Sequence, residues 1–313
     1  MKGIVAVLAV ACSCAAQAQT LGIGTAPQGT IGYNMGSAIA KALSEAEKIQ
    51  SRVQPYSGSS AVFPLVNTGE MDFTVGNVLE AQEAANGEGP YAGRKQGNLR
   101  IIAVIFPIQV GLFVRKDSPI RTIADLKGKR VTYGYTAQVT LKRVVDSILA
   151  NGGIDASDIK TTLVPNVIRG ADDFAEGKAD AGFFAIGAGK VSEVDKSVGG
   201  IRYLPLSDEP KAVERMRKLF QYAYVSEVKP GPAYPGIPAP TKLMAYDYLV
   251  LAGTHVKDDI AYRVAKTLHE HKAKLVESLR AFEAFDVQKM YKPMPAPFHA
   301  GALKFYKEKG LVK

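Results

Sequence analysis

Residues 21–43 read LGIGTAPQGTIGYNMGSAIAKAL, and this stretch decides the fold. Leu21 and Ile23 predict a short buried strand, glycines and a proline bend the chain over residues 24–32, and apolar residues then recur at helical spacing. The first amides of such a helix lack intrahelical acceptors and carry the positive end of the helix dipole. The stretch therefore predicts either a loop that cradles an anionic group or, as the alternative, a plain strand-to-helix turn.

The same order of elements returns along the chain. Residues 52–56 and 60–66 predict a second strand and helix, and residues 71–75 predict a third strand that ends near Asn77. Residues 130–187 then repeat strand, loop, helix, strand, helix and strand. This repeat of architecture predicts an α/β protein with two similar lobes. Residues 99–114 and 201–206 are predicted to cross between them and residues 246–251 predict another apolar strand, so we expect at least two connections. Lobe I would comprise residues 19–113 and 206–313, and lobe II residues 114–205.

The first 18 residues have the composition of a secretory signal peptide. Lys2 is followed by an apolar run at residues 4–11, and Ala16-Gln17-Ala18 is an A-x-A cleavage site. Cleavage there predicts a periplasmic protein that starts at Gln19. Both cysteines of the chain, Cys12 and Cys14, would be lost, leaving neither a disulfide nor a thiol nucleophile. A lipid anchor at Cys12 is the alternative.

The totals are those of a soluble globular protein. The chain has 313 residues, of which 47% are hydrophobic and 22% charged, and this length predicts two domains. The net charge of +9 becomes +8 when Lys2, the one charged residue of the signal peptide, is removed. Lysines and arginines are spread along predicted helices rather than clustered, which indicates solvated faces and no nucleic-acid partner. After the signal peptide no apolar run reaches the roughly 18 residues that span a bilayer, and we expect a soluble monomer.

Motifs for catalysis, cofactors or metals are weak. Gly22-Ile23-Gly24 is followed by Pro27 where a dinucleotide-binding loop needs its third glycine. The four histidines are not spaced as metal ligands, since two of them lie on different faces of one helix. Ser226 and Lys229 match S-x-x-K, but prolines surround them and no helix places the lysine over the serine. We expect no cofactor, no metal and no enzymatic activity.

Hydroxyl, amide and aromatic residues recur at the ends of the predicted strands. Such groups hold a ligand by hydrogen bonds and stacking without titrating, which suits capture and release. The candidates are Thr25, Thr30, Tyr33, Ser57, Ser59, Ser60 and Asn77 from one lobe, and Tyr135, Thr136, Gln138, Thr140, Phe183 and Phe184 from the other. We expect them to face one another across a cleft.

Several motifs in order resemble the TAXI branch of TRAP transporter solute-binding proteins. They include IGTAPQGTIGYNMGSAIAKAL, YSGSSAVFPLVNTGEMDFTVGN, GKADAGFFAIG and LPLSD. The resemblance implies a type II periplasmic-binding-protein fold with a hinge, which closes on a small organic acid or amino acid and delivers it to a sodium-driven TRAP permease. It also implies a pocket that includes Phe106 besides Thr25, Thr30, Tyr33, Ser57, Ser59, Asn77, Tyr135, Thr136 and Phe183. Residues 135–140 depart from the family's Gly-Ser-rich loop.

Two other functions remain open at this point. Binding proteins of ABC importers for thiamine precursors or sulfonates share the fold, and an exported enzyme is the third possibility. The predicted loops contain no Lys or Arg, so a carboxylate ligand would be held by amides, hydroxyls and helix N-termini. Arg169 is the single basic residue expected to approach such a ligand.

Overall fold

The computed structural model describes residues 20–312. Within them, strands β1 to β10 are Leu21–Thr25, Ser51–Pro55, Phe73–Asn77, Leu99–Arg115, Arg130–Gly134, Lys160–Val164, Gly182–Ala185, Ile201–Tyr203, Tyr224–Val228 and Thr241–Gly253. Helices α1 to α10 are Ile31–Glu47, Ser59–Thr68, Val78–Asn86, Thr140–Asn151, Val167–Ala175, Gly189–Ser197, Pro210–Leu219, Asp258–Glu270, Lys272–Ser278 and Ala300–Glu308. The α/β prediction is confirmed. The predicted signal peptide and the start at Gln19 lie outside the described residues.

The opening stretch forms the predicted strand, loop and helix. Thr30 is the N-cap of α1, and its hydroxyl accepts a hydrogen bond from the Tyr33 amide. The buried face of α1 packs on β1 so closely that a Cβ added at Gly36 would lie 2.4 Å from Thr25 Cγ2. This close approach fixes the loop before α1 at the carboxyl end of β1, where ligands bind in open α/β sheets.

The main sheet is mixed. Its strands follow the order β2-β1-β3-β10-β4-β7, with β8 paired to β4 and β9 paired to β10. The first three strands are parallel, as their connecting helices require. Strand β10 lies antiparallel between β3 and β4 and joins the first α/β units to the rest of the molecule.

Strands β4 and β10 are the longest in the described chain, at 17 and 13 residues. The first part of β4 pairs with β10, and its last part pairs with β7 and β8. The sequence predicts that residues 201–206 make the return crossing. In the structure β8 pairs with the last residues of β4, and β10 runs from its pairing with β9 to its pairing with β3.

A second, small sheet consists of the parallel strands β5 and β6. Helices α4 and α5 follow these two strands, so the loops at their carboxyl ends are the counterpart of the loops after β1 and β2. A bridge between Val131 and Ala181 ties β5 to the start of β7. No helix between residues 20 and 312 is long and apolar enough to cross a membrane.

A candidate ligand-binding cleft

The principal cavity lies where the carboxyl ends of both sets of strands face each other. Its volume is about 650 Å³, including the part that is open to solvent. The first wall is formed by residues Ala26, Thr30, Ile31, Gly32, Gly58, Ser59, Val62, Val75, Asn77 and Glu80. The second wall is formed by Gln138, Leu141, Val167, Phe183, Phe184 and Ala185. Between the walls lie Ile108 and Val110 of β4 and Tyr246 and Tyr248 of β10.

Two helices begin at the first wall. The Ile31 and Gly32 amides at the start of α1 have no hydrogen-bond partner within residues 20–312, and neither do the Ser59 and Ser60 amides at the start of α2. Helix α2 begins after Gly58 without a side-chain cap. Free amides at the positive end of a helix dipole favour a negatively charged or strongly accepting group in the cavity.

Glu80 contributes a carboxyl group to the cavity wall. It lies at the third position of α3, where Asn77 and Glu80 form a capping box: the Asn77 side chain accepts from the Glu80 amide, and the Asn77 amide donates to Glu80 Oε2 at 2.9 Å. Ser59 Oγ donates to Glu80 Oε1 at 2.8 Å. Burial is the main cause that raises the pKa of the Glu80 carboxyl to about 7, against the lowering effect of these two hydrogen bonds.

Two tyrosines of β10 face the same space. Strand pairing places Tyr248 opposite Asn77 of β3 and Tyr246 opposite Ile108 of β4. Within residues 20–312 neither hydroxyl has a hydrogen-bond partner, although both rings are buried. Burial raises the pKa of both hydroxyls, so both stay protonated and can donate or accept a hydrogen bond.

The second wall supplies an amide and aromatic surface. Gln138 Oε1 accepts from the Val167 amide at 2.9 Å, which orients the side chain beside the start of α5. Phe183 lies edge-on to Tyr135, with 5.9 Å between ring centroids. This wall therefore offers one polar side chain above an aromatic surface.

The two walls touch at the rim of the cavity. Ser60 Oγ lies 3.4 Å from the Ala137 carbonyl oxygen, and the Lys190 amide lies 3.4 Å from the Gly29 carbonyl oxygen. Deeper, Thr140 Oγ1 donates to Glu83 Oε2. These contacts give the cleft a closed arrangement.

The structure brings part of the predicted set to the cavity. The predicted residues that line it are Thr30, Ser59, Asn77, Gln138, Phe183 and Phe184. All six follow the ends of strands or belong to one, as the sequence argument requires. Their role in binding stays a prediction.

Three predicted residues are buried in supporting positions instead. Thr25 is fully buried, and its hydroxyl donates to the Ala26 carbonyl oxygen at 3.1 Å. Tyr135 is also fully buried, and its hydroxyl bonds to Thr132. Thr140 uses its hydroxyl on Glu83. Their polar groups are satisfied by the protein, so they position the walls and do not line the cavity.

Four more predicted residues lie near the cavity without lining it. Ser57 and Arg169 line a separate shallow depression at the rim, and Arg169 is paired there with Asp173 and Glu176. Tyr33 lies within 3.4 Å of Gln28 Nε2, and the Thr136 amide donates to the Val164 carbonyl oxygen. The structure therefore does not bring Ser57, Tyr33, Thr136 or Arg169 to the principal cavity.

Phe106 lines a neighbouring apolar cavity of about 530 Å³. Its ring meets that of Phe282 edge-on, with 5.1 Å between centroids. Ile31 and Ile108 separate this space from the principal cavity, because both residues line both.

Sequence reasoning missed Glu80, Tyr246 and Tyr248. The N-x-x-E spacing from Asn77 to Glu80 is a capping-box signal and could have placed Glu80 beside the predicted strand end. The tyrosines carry no such signal, because only the pairing of β10 with β3 and β4 brings them to the cavity.

The described residues give the cavity neither a cationic side chain nor a metal-binding cluster. No Lys, Arg or His is among the described residues that line the cavity. Residues 20–312 contain no group of three or more His, Cys, Asp or Glu side chains that could hold a metal ion.

A cavity between two α/β units that are joined by long strands is the arrangement of two-lobed binding-protein folds. Solved structures of binding proteins share this fold. The periplasmic aliphatic sulphonate binding protein SsuA of Escherichia coli matches with a TM-score of 0.50 at 17% identity, over 94% of both chains. PhnD1 of Prochlorococcus marinus, in complex with methylphosphonate, matches with 0.58 at 12% identity, over 94% of this chain and 99% of that one. The amino acid ABC transporter substrate-binding protein AbpA of Streptococcus pneumoniae, bound to L-arginine, matches with 0.53 at 12% identity, over 85% and 95%. The prediction of a two-lobed type II periplasmic-binding-protein fold is confirmed.

The chain belongs to the NMT1-like family, whose model matches residues 23–310. The resemblance to the TAXI branch of TRAP receptors is wrong. The matched family and the similar structures, which include sulphonate-binding and amino acid ABC transporter proteins, point away from it. The motifs that carried the resemblance lie mainly in strand-to-helix loops and at strand ends.

Proposed function

We propose that this chain is the extracytoplasmic solute-binding protein of an ABC importer and holds a small organic solute in the principal cavity. The observation that carries the proposal is the cavity itself. It is lined from two walls and from both long strands, and a concave space enclosed in this way is typical of small-molecule sites. Polar groups of Asn77, Glu80 and Gln138 project among apolar side chains, which is the composition of a site that binds and orients a ligand.

Family and fold support the same class. The chain belongs to the NMT1-like family, and the similar structures carry the names of binding proteins. The role is capture and delivery, without catalysis, to an ABC permease in the membrane. The predicted signal peptide agrees with a location outside the cytoplasm.

The lobes and their closure are part of the proposal. Helix α7 packs on α4, and β9 pairs with the first residues of β10, so residues 206–240 accompany the second wall. We therefore place the second lobe between the middle of β4 and the middle of β10, beyond the sequence-based limits of 114–205. Closure would hinge on β4 and β10, which pair with each other between the two lobes.

Some groups of the cavity favour an anionic ligand and others disfavour it. The free amides of α1 and α2 favour the anionic group that the sequence predicts. Glu80, which faces the same cavity without a basic partner, disfavours a ligand that carries only negative charge.

The first test is to identify what the protein carries. The protein is purified from its own periplasm, denatured, and the released small molecules are identified by mass spectrometry. Isothermal titration with the ligand-free refolded protein then measures affinity, and scattering measures closure. A protein that releases nothing and binds no solute from a broad metabolite library contradicts the proposal.

The second test concerns the membrane partner. The permease encoded beside this chain is reconstituted in vesicles with the binding protein and the identified solute. We expect uptake that requires ATP and the binding protein together. Uptake that does not depend on ATP would contradict the assignment to an ABC importer, but it would not contradict solute binding.

A further inference from the structure

The Glu80 carboxyl lies in the cavity wall and accepts two hydrogen bonds from the protein. Oε1 accepts from Ser59 Oγ and Oε2 accepts from the Asn77 amide, at 2.8 and 2.9 Å. A carboxylate offers about four acceptor positions. Two are therefore satisfied by the protein, and the residue faces the cavity with acceptor capacity to spare.

No cation balances this carboxyl. Within residues 20–312, Glu80 has no Lys, Arg or His nitrogen within 4.0 Å, unlike Glu83 on the next turn of α3, which meets Arg143. The titratable groups that face it are Glu83 from its own helix, Tyr91 from the short helix Gly89–Tyr91, and Tyr246 and Tyr248 from β10. None of these groups is positively charged, and a buried carboxylate without a cation is costly.

Hydrogen bonds from the protein offset part of this cost and support the accepting form of the carboxyl. Both oxygens receive hydrogen bonds from protein donors, and Glu80 lies in the first turn of α3, where the helix dipole favours negative charge. The group that the site lacks is thus a donor, and the ligand can supply it.

We propose that Glu80 determines specificity by accepting a hydrogen bond from a nitrogen donor of the ligand, so that this cleft selects solutes with an ammonium, amidinium or amino group over anions that lack one. The inference rests on the proposed solute-binding function. Such a ligand can still place an acidic group at the free amides of α1 and α2. A small zwitterion can bind both the Glu80 carboxyl and the free amides, whereas a simple alkanesulfonate or alkylphosphonate can bind only the amides.

The test uses matched pairs of probes that differ by one amino group: taurine and ethanesulfonate, 2-aminoethylphosphonate and ethylphosphonate, alanine and propionate. Isothermal titration of the wild-type protein with each pair is the primary measurement. We expect the aminated member of at least one pair to bind about tenfold or more tightly than its partner, a preference of about 1.4 kcal/mol. Its affinity should rise with pH through the pKa of Glu80 near 7, as the carboxyl ionises.

Substitution then assigns the preference to this side chain. Glu80→Gln keeps the size and an acceptor for the Asn77 amide, and we expect it to remove most of the preference for the aminated probe. Glu227→Gln is the matched control, because Glu227 is exposed on β9 and does not line the cavity. If Glu80→Gln does not fold, the pH dependence of the wild-type preference makes the assignment: a preference that rises through about pH 7 supports Glu80, and one that does not change with pH overturns its role.

Each outcome separates the inference from the function on which it rests. Equal binding within pairs, or tighter binding of the non-aminated anions, overturns the nitrogen-donor assignment and leaves a solute-binding protein. If no probe binds, the ligand released from the native protein decides: one with an N–H donor supports the inference, and one without it overturns it. A protein that binds no probe and releases no ligand contradicts both.

Discussion

Thr140 Oγ1 lies 2.6 Å from Glu83 Oε2, and this buried hydrogen bond joins α4 of the second wall to α3 of the first. Arg143 Nη1 lies 3.5 Å from the other oxygen of the same carboxylate, and Arg143 Nε also donates to the Leu219 carbonyl oxygen at 2.6 Å. Burial is the largest influence on Glu83 and raises the pKa of its carboxyl. The contact joins residues 57 positions apart and can form only when the walls are together.

Loss of this contact should favour the open cleft. A hydrogen bond to a charged group contributes roughly 1.5–3 kcal/mol, so we expect Thr140→Val to weaken binding of the identified ligand about tenfold or more. Scattering should show a larger radius of gyration for the ligand-free variant. Thr161→Val is the control, since Thr161 is exposed on β6. Unchanged affinity and radius in Thr140→Val would mean that this hydrogen bond does not stabilise closure.

A methyl group at Gly58 should act as a wedge. A Cβ there would lie 2.8 Å from the Ala137 carbonyl oxygen, across the cleft, and the φ of 171° is open to any residue. We therefore expect Gly58→Ala to fold normally, to open the walls and to weaken binding severalfold. Gly97→Ala is the control, because a Cβ at Gly97 meets nothing within 4 Å. If Gly58→Ala and Gly97→Ala bind the ligand with equal affinity, the residues around Gly58 accommodate the methyl group without opening the cleft.

Ligand-free stability should depend on Glu80 and pH. The folded-state pKa of about 7 is above the ordinary 4.5, so the folded protein holds the proton more tightly than the unfolded chain. Stability from this group is full below the unfolded pKa and is lost as the pH rises through about 7. The total is on the order of 3 kcal/mol. Denaturant unfolding of wild type and Glu80→Gln across this range checks the effect, and parallel pH profiles of the two proteins would contradict it.

Two neighbouring serines should differ in their effect on binding. Ser59 lines the cavity and donates to Glu80, whereas Ser57 lines the shallow depression outside it. We expect Ser59→Ala to weaken binding severalfold and Ser57→Ala to leave it nearly unchanged, by titration with the identified ligand. The opposite result would place the ligand in the outer depression.

Local sequence signals located much of the first wall. Glycines and a proline before an amphipathic helix predicted the loop that ends at Thr30, and the strand end at Asn77 was recognised from the residues around it. These signals work because strand ends, caps and helix starts are local structures whose residue preferences act over a few positions. The same logic did not separate Thr25 and Thr140 from the residues that line the cavity, since a hydroxyl at a strand end or helix start can equally bond to the protein.

The sequence by itself determined the alternation of strands and helices, the repeat of α/β units and the absence of basic residues from the cavity loops, because these follow from periodicity and composition. Only the tertiary structure decided how the distant strands pair and which side chains meet in the cavity. The insertion of β10 between β3 and β4 puts Tyr248 opposite Asn77 and Tyr246 opposite Ile108. Such pairing depends on contacts between distant segments, whose energies no local pattern records, and it is this pairing that brings Glu80 and the two tyrosines around one space.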